Sequence, residues 1–170
     1  IHLEDEIHKR TLELKNSLQR FKSYFELPII GAAITSPKKG WIEVNQKLID
    51  LLGYNREELF SMTWAQLTHP DDLAGDIALF NQVLEGKLDG YSIKKRFIKK
   101  NNTVIYTEIS VECVRKTNGE VEYFVALIND ITERVEAEKK VKETQEQLIN
   151  AEKLSTLGKF AGSVAHEFNN

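Results

Sequence analysis

The sequence has 170 residues, of which 41% are hydrophobic and 29% are charged, a composition typical of a folded chain rather than a disordered one. Its 23 basic and 26 acidic side chains give a net charge of −3, which provides no global attraction to nucleic acid or to an anionic membrane surface. The single cysteine, Cys113, excludes an intramolecular disulfide and a cysteine-based zinc site, and the sequence predicts no metal site.

The first predicted element is a helix from residue 2 to about residue 26, so we assign 1–26 to an N-terminal signalling or dimerisation helix. Pro28 is expected to end it. An apolar stripe with largely heptad spacing runs along it: Ile7, Leu14, Leu18, Phe21 and Phe25. The stripe is compatible with packing on the helix's own domain and equally with a parallel dimer seam.

Residues 27–132 are predicted to form one α+β domain. Two strands, PIIGAAITS and WIEVN, are followed by short helices in NQKLIDLLG, REELFS and TWAQL and by a longer helix from Pro70 to about Leu84. Three strands then follow in YSIKKRFIKK, TVIYTEISVECVRK and VEYFVALIND. The helices should therefore cover one face of a five-stranded antiparallel sheet. Both faces of the last strand are apolar, so its second face should be covered by the N-terminal helix or by a second subunit.

A long charged helix is predicted after Asp130, because the next glycine or proline is Gly158. Asp130 and Glu133 have the spacing of a capping box, with Asp130 as the cap. The apolar stripe of this helix changes register between Leu148 and Leu154. The change either allows two helix packings of similar energy or only marks the end of a linker.

Two parts of the sequence resemble a known family. The motifs LLGYNREEL, HPDD, GYSIKKRFIKKNNTVIYTEIS and GEVEYFVALINDITER occur in the order of a PAS domain, over about residues 21–134. The ending Asp130-Ile131-Thr132 is the most specific of these features. The last segment, LSTLGKFAGSVAHEFNN, resembles the phosphoacceptor box of a sensor histidine kinase.

The resemblance implies the sensor and linker region of a two-component histidine kinase that autophosphorylates from ATP. Its parts would be a PAS sensor domain at 27–132, a coiled-coil linker helix at 133–153 and the truncated start of the dimerisation and histidine-phosphotransfer helix at 154–170. Asp130, Ile131 and Thr132 would relay the signal from the sheet to this helix. The alternatives left open are a PAS module that only dimerises or binds a small ligand, and a PAS domain with another output, such as a cyclase.

Three residues of the box receive roles by resemblance. His166 would be the phosphoacceptor, Glu167 would act as acid/base on its imidazole, and Asn170 would position water for dephosphorylation of the response regulator. At 100° per residue, His166 lies roughly 160° from the mean of the apolar stripe, so it should face solvent. That stripe consists of Leu154, Leu157, Ala161, Val164 and Phe168. Histidine has a reference pKa of about 6.5, so an uncharged imidazole is available near neutral pH.

The expected partners are a second copy of the chain and a response-regulator receiver domain, with ATP and magnesium in a longer parent protein. The chain has no Gly-rich nucleotide loop, so we do not expect it to be catalytically competent alone. It begins inside a predicted helix and ends in HEFNN, which indicates a piece of that parent. No apolar run approaches the ~20 residues that span a bilayer, so we expect a cytoplasmic location without membrane contact, leaving open an anchor elsewhere.

The sequence identifies no cofactor. A flavin adduct would need a cysteine among the helices, and the haem-binding subgroup would need a histidine on the helix after Pro70; the sequence has neither. A pocket for an unknown small molecule could lie behind four side chains: Trp41, Phe60, Trp64 and Leu79. The alternative is a plain packed core.

Other notable residues are expected to be structural. His69 precedes Pro70 at a helix start, and Cys113 should face inward as a small hydrophobic side chain. A group of basic residues flanks a hairpin turn and is expected to be solvated: Lys94, Lys95, Arg96, Lys99 and Lys100.

Overall fold

The computed structural model describes residues 2–168. The chain divides into two compact units, the first ending at Ile131 and the second beginning at Thr132. Within residues 2–168, no helix is both long enough and apolar enough to cross a membrane.

The first unit contains five helices and five strands in the order that the sequence predicts. They are α1 (His2–Phe25), β1 (Gly31–Thr35), β2 (Trp41–Val44), α2 (Gln46–Leu52), α3 (Arg56–Phe60), α4 (Trp64–Leu67), α5 (Pro70–Leu84), β3 (Gly90–Ile98), β4 (Val104–Arg115) and β5 (Val121–Asp130). The strands form one antiparallel sheet in the order β2-β1-β5-β4-β3. The predicted α+β fold with a five-stranded antiparallel sheet is confirmed.

Side-chain caps define where the short helices begin. The carboxamide oxygen of Asn45 accepts the backbone N–H of Leu48 at the start of α2, and Asn55 forms a capping box with Glu58 at the start of α3. His69 caps α5, with Pro70 in its first turn. Helices this short are marginal alone, so their caps and their packing on the sheet hold them in place.

One face of the sheet carries the core. On β5, Phe124, Ala126 and Ile128 are buried, as alternation along the strand predicts. The ring of Phe124 lies 4.6 Å from the ring of Phe80 on α5. The opposite face of β5 is not fully covered within one chain, because Leu127 on that face is 43% exposed.

Most of the apolar stripe of α1 does not pack on its own domain. Leu14 is 71% exposed, and Ile7, Leu18 and Phe21 are exposed as well, whereas Phe25 at the end of the helix is half-buried. Packing on its own domain, one of the two alternatives for this stripe, is therefore limited in the single chain to the end of α1. A dimer seam remains a prediction.

The second unit is one continuous helix, α6 (Thr132–Phe168). It has no buried residues among those described. The predicted boundary between residues 153 and 154 falls inside this helix. The predicted cap at Asp130 would make Ile131 the first residue of the helix. In the structure, β5 extends through Asp130 and α6 begins one residue later, at Thr132.

Gly90 begins β3 where the backbone of β4 leaves no space for a side chain. A Cβ at this position would overlap the carbonyl oxygen of Val111 and would lie 2.6 Å from the carboxylate of Glu112. Because the sheet fixes that carbonyl, Gly90→Ala should lower the free energy of unfolding by about 1–3 kcal/mol in urea denaturation. Gly75→Ala, at a helical position with nothing within 4 Å, should be neutral or stabilising by up to about 1 kcal/mol. Equal stability of Gly90→Ala and the native chain would contradict this close approach.

Candidate functional site

A cavity of about 30 Å³ lies between the sheet and the helices of the first unit. A buried water needs roughly 10–15 Å³ by this measure, so the cavity has room for one or two water-sized molecules. Five of the twelve residues that line it are aromatic: Trp41, Trp64, Phe80, Tyr91 and Phe97. Its polar lining residues are Thr35, Asp76 and Lys95.

A buried ion pair joins α5 to β3 at the wall of this cavity. Lys95 is 6% exposed and Asp76 is 1% exposed. The Lys95 Nζ donates to Asp76 Oδ2 and to Thr68 Oγ1, the latter at 3.1 Å. The hydroxyl of Tyr91 donates to Asp76 Oδ1 at 2.9 Å. Both carboxylate oxygens are therefore hydrogen-bonded, as a buried charge requires.

The ammonium of Lys95 also lies over two aromatic rings, 4.6 Å from the Trp64 centroid and 4.4 Å from the Phe97 centroid. Burial lowers the pKa of Lys95, against the attraction of Asp76, which raises it. Burial, together with the negative charge of Asp76, raises the pKa of Tyr91 well above its usual range. The cluster therefore keeps the Tyr91 hydroxyl protonated, as a donor to the carboxylate.

Two of the four predicted pocket residues line the cavity. Trp41 and Trp64 do so, whereas Phe60 and Leu79 do not, which corrects the prediction for these two. Phe60, at the end of α3, is 44% exposed and lines a surface cleft. On α5 the inward face passes through Phe80, and Leu79 is rotated from it by one residue, or about 100°.

The sequence prediction missed the polar part of the cavity. Lys95 was expected at a solvated strand tip, and that expectation is wrong because β3 alternates, which places Tyr91, Lys95 and Phe97 on the same inward face. Strand parity with Phe97 was the signal that could have identified it. The expectation that Cys113 packs inward is confirmed, since it packs partly buried against the core.

The start of α5 is fixed to β3 by a bidentate ion pair. The Arg96 guanidinium donates to both carboxylate oxygens of Asp72, at 2.9 and 2.7 Å, and the Arg96 backbone N–H donates to Asp72 at 2.7 Å. These bonds hold the pKa of Asp72 below its usual range. The structural role expected for His69 is confirmed, since its Nδ1 accepts the backbone N–H of Asp71 at 3.3 Å.

Asn45 connects the end of α1 to the sheet, a role that the sequence prediction also missed. It is fully buried, and its amide nitrogen donates to the carbonyl oxygens of Phe25 and Ile30, at 2.8 and 2.9 Å. Its carboxamide oxygen accepts the backbone N–H groups of Ala32 and Leu48, at 2.9 and 3.0 Å. All four hydrogen-bonding positions of this side chain are used.

The three predicted relay residues lie at the junction of β5 and α6. Asp130 is the last residue of β5, where it pairs with Thr107 of β4. Ile131 is buried, and its backbone N–H donates to the carbonyl oxygen of Tyr106 at 2.9 Å. Thr132 is the first residue of α6.

The predicted phosphoacceptor residues lie at the far end of α6. His166 and Glu167 are in the last turn of the helix, and both are exposed. The apolar stripe beside them is also exposed in the single chain, with Leu157 at 69% and Phe168 at 87%. Exposure therefore does not distinguish His166 from the apolar residues of the same helix. The informative feature is its angular position opposite the apolar stripe. Asn170 lies outside the described residues.

The class of this fold is defined by the sheet order, by the helices over one face of the sheet and by the cavity between them. The family profile described as PAS fold matches residues 42–128, and the chain belongs to this family. A solved sensory box histidine kinase/response regulator from Burkholderia thailandensis has 25% sequence identity and a TM-score of 0.60. That match covers 76% of this chain and 97% of the solved one.

The curated relatives include a probable diguanylate cyclase and a sensor histidine kinase. The probable diguanylate cyclase DgcE of Escherichia coli is 32% identical over 145 residues, which cover 85% of this chain. The sensor histidine kinase TmoS of Ectopseudomonas mendocina is 24% identical over 163 residues, which cover 96%. The chain spans 13% of the first relative and 17% of the second.

Removal of one partner of the buried ion pair should destabilise the domain more than removal of both. Asp76→Leu should cost about 3–5 kcal/mol, because it leaves the Lys95 charge buried without a counter-ion. Asp76→Leu combined with Lys95→Met should recover most of this loss, since an apolar pair of similar volume replaces both charges. Urea denaturation of the native chain, both single variants and the double variant measures the coupling. Additive losses would show that the two side chains do not interact.

The Asp72–Arg96 pair should make stability depend on acid pH. Because the pKa of Asp72 is lowered in the fold, its contribution is fully present above the unfolded value of about 3.9 and is lost as pH falls through the lowered value. Asp72→Asn should reduce stability at pH 7 and flatten the decrease below about pH 4. The charged or titratable groups around this carboxylate are Arg96, Asp71, His69 and Lys95. The same acid slope in variant and native chains would exclude this role.

Proposed function

We propose that the chain is the sensor and linker region of a dimeric histidine kinase in which the PAS domain controls phosphorylation of His166. The observation that carries this proposal is the phosphoacceptor-like box at residues 154–170, of which residues 154–168 lie on the helix that directly follows the PAS domain. The likeness to TmoS covers 163 of 170 residues and so leaves seven outside it. Even if all seven of these residues belonged to the box, at least ten of its 17 residues would lie within the likeness.

The proposed chemistry uses the uncharged imidazole as the nucleophile. His166 attacks the γ-phosphorus of ATP, a nitrogen–phosphorus bond forms, and the bond to the bridging oxygen breaks as ADP leaves. Glu167 accepts the proton of the other imidazole nitrogen, which raises the nucleophilicity of the attacking one. The phosphoryl group then passes to an aspartate of a response regulator. Asn170 orients the water that later removes it.

The nucleotide is held elsewhere in the proposed kinase. The chain has no Gly-rich phosphate-binding loop, so ATP and magnesium belong to a catalytic domain of the longer protein. What this chain contributes is the nucleophile, the adjacent base and their placement on one helix. The chain alone is therefore not a competent kinase.

A homodimer accounts for the exposed apolar stripes. Leu14 on α1 and Leu154 on α6 are each about 70% exposed in the single chain, at 71% and 70%. Apolar rows of this length on isolated helices favour pairing with a second helix. Pairing along the α6 stripe would leave His166 on the outside, accessible to a nucleotide and to a receiver domain.

The proposed signal path runs from the sheet into α6 through Asp130, Ile131 and Thr132. The register change between Leu148 and Leu154 gives the paired helices two packings of similar energy, one of which the sensor would favour. The absence of any break in α6 supports this path, because a continuous helix transmits a rotation or a tilt along its length.

A second candidate is a PAS domain that controls another output. The likeness to DgcE is closer in identity, at 32%, although it leaves 25 of the 170 residues outside it. In this alternative the PAS domain and helix order a dimer for a cyclase, and His166 carries no phosphate.

Radiolabelling of the full-length protein separates the two candidates. With ATP labelled at the γ-phosphate, the native protein should acquire acid-labile label, and His166→Gln should reduce it to background because no other imidazole occupies this place. His8→Gln, a matched exchange at an exposed helical histidine, should retain labelling within about twofold. Undiminished label in His166→Gln would overturn the kinase proposal. Cyclase activity without any labelling would favour the second candidate.

A further inference from the structure

The long helix α1 is attached to the rest of the first unit at its last turn. Its residues from position 3 to position 24 are exposed, and Phe25, the last residue of the helix, is half-buried. The next residue, Glu26, accepts the backbone N–H of Gln46 on its carboxylate at 2.9 Å. Because successive turns of a helix are held by backbone hydrogen bonds, a rotation or tilt of α1 is delivered to the domain at this end.

One fully buried side chain, Asn45, caps two helices at this point. The last four carbonyl groups of a helix and its first four N–H groups have no partner within the helix. The amide nitrogen of Asn45 donates to such a carbonyl group, that of Phe25 in α1, at 2.8 Å. Its carboxamide oxygen accepts such an N–H group, that of Leu48 in α2, at 3.0 Å. The end of α1 and the start of α2 are therefore bonded to the same side chain.

Asn45 also fixes the connection between α1 and β1. Residues 26–30 form this connection and contain no helix or strand. The amide nitrogen of Asn45 donates to the carbonyl oxygens of Phe25, just before the connection, and of Ile30, at its end, at 2.8 and 2.9 Å. Since both carbonyl groups are bound to one nitrogen atom, a movement of α1 is not absorbed within residues 26–30.

The hydrogen bonds of Asn45 continue into the sheet. Its carboxamide oxygen accepts the backbone N–H of Ala32 at 2.9 Å, and its backbone N–H donates to the carbonyl oxygen of Ala32, also at 2.9 Å. Ala32 of β1 pairs with Leu127 of β5, and β5 ends at Asp130, two residues before α6 begins. The end of α1 is thus joined through one side chain to the two strands that precede the output helix in space and in sequence.

We propose that Asn45 is a positioning residue that transmits a movement of α1 to β1 and β5, so that α1 is an input of the domain. The movement is a rotation or tilt of α1, imposed by the way in which this helix pairs with α1 of a second copy. The effect of this input on His166 rests on the function proposed above. The cap that Asn45 places on α1 does not, because it lies entirely within the first unit.

Hydrogen exchange in the 170-residue chain tests the cap. Asn45→Asp keeps the size of the side chain and the oxygen that accepts from Ala32 and Leu48, and it removes the amide donor. The backbone N–H of Glu26, which donates to Lys22 at 2.9 Å, reports opening of the last turn of α1. Its exchange should accelerate about threefold or more in Asn45→Asp, the value of one hydrogen bond.

Asn55→Asp is the matched control, because Asn55 caps α3 through a capping box with Glu58. In this variant the exchange of the Glu26 N–H should stay within about twofold of the native chain, since Asp and Asn are equally good caps. If Asn45→Asp does not fold, as judged from its remaining amide signals, Asn45→Ser takes its place. Serine retains the cap on Leu48 and is too short to reach Phe25.

Labelling of His166 in the full-length protein tests the transmission. One alanine inserted after Lys15 rotates the preceding part of α1 by about 100° relative to its end, whereas a repeat of residues 9–15 restores the phase to within about 20°. The single insertion should change the initial labelling rate about fivefold or more, and the seven-residue insertion less than about twofold. In Asn45→Asp the single insertion should change the rate less than about twofold, and in Asn55→Asp as much as in the native protein.

Three outcomes would overturn the proposal. They are unchanged exchange of the Glu26 N–H in a folded Asn45 variant, an equal response to the single insertion in Asn45→Asp and in the native protein, and no response in the native protein. A native protein that is never labelled rejects the kinase and leaves the exchange result standing. The same insertions are then compared by the rate of the cyclase, the second candidate output.

Discussion

The buried ion pair between Lys95 and Asp76 is the constraint on which the sensor domain depends. Two charges withdrawn from water are tolerated only because each is the counter-ion of the other and because Thr68 and Tyr91 complete their hydrogen bonds. The pair joins α5 to β3, and so it sets the distance between the helical layer and the sheet. The cavity is the space that this distance leaves between aromatic side chains.

β5 lies at the centre of the sheet, lines the cavity and ends one residue before Ile131, which precedes α6. β5 is hydrogen-bonded to β1 on one side and to β4 on the other, so it cannot shift without its neighbours. Ala126 and Ile128 of this strand line the cavity, and Ile131 follows at its end with a backbone bond to Tyr106. A molecule that displaces the core side chains of β5 therefore acts on the strand that leads into α6.

Two further sets of side-chain hydrogen bonds hold helices to the sheet. Arg96 fixes the start of α5 through Asp72, and Asn45 fixes the end of α1 to β1 and α2. The long helical parts on either side have exposed apolar stripes. The core of the domain is thus buried within one chain, whereas the apolar stripes of α1 and α6 are largely exposed.

The sequence by itself determined the elements, their order and the PAS family. Alternation along strands, Pro70 in the first turn of α5 and the turn residues between elements are local signals, and each was readable without a partner. The position of His166 opposite an apolar stripe also follows from helical periodicity alone. Tertiary structure decided the polar chemistry of the cavity.

Only the fold could identify the counter-ion of Lys95, because Asp76 lies 19 residues earlier on another element. The basic residues around Lys95 predicted an exposed side chain, whereas its position in the strand alternation predicted a buried one. The side chain is buried because it pairs with Asp76 on α5. The same holds for the exclusion of Leu79 from the cavity. Periodicity predicts which face of a helix or strand a side chain occupies. The hydrogen-bond partner of that side chain comes from a segment that is distant in sequence, and only the folded chain brings the two together.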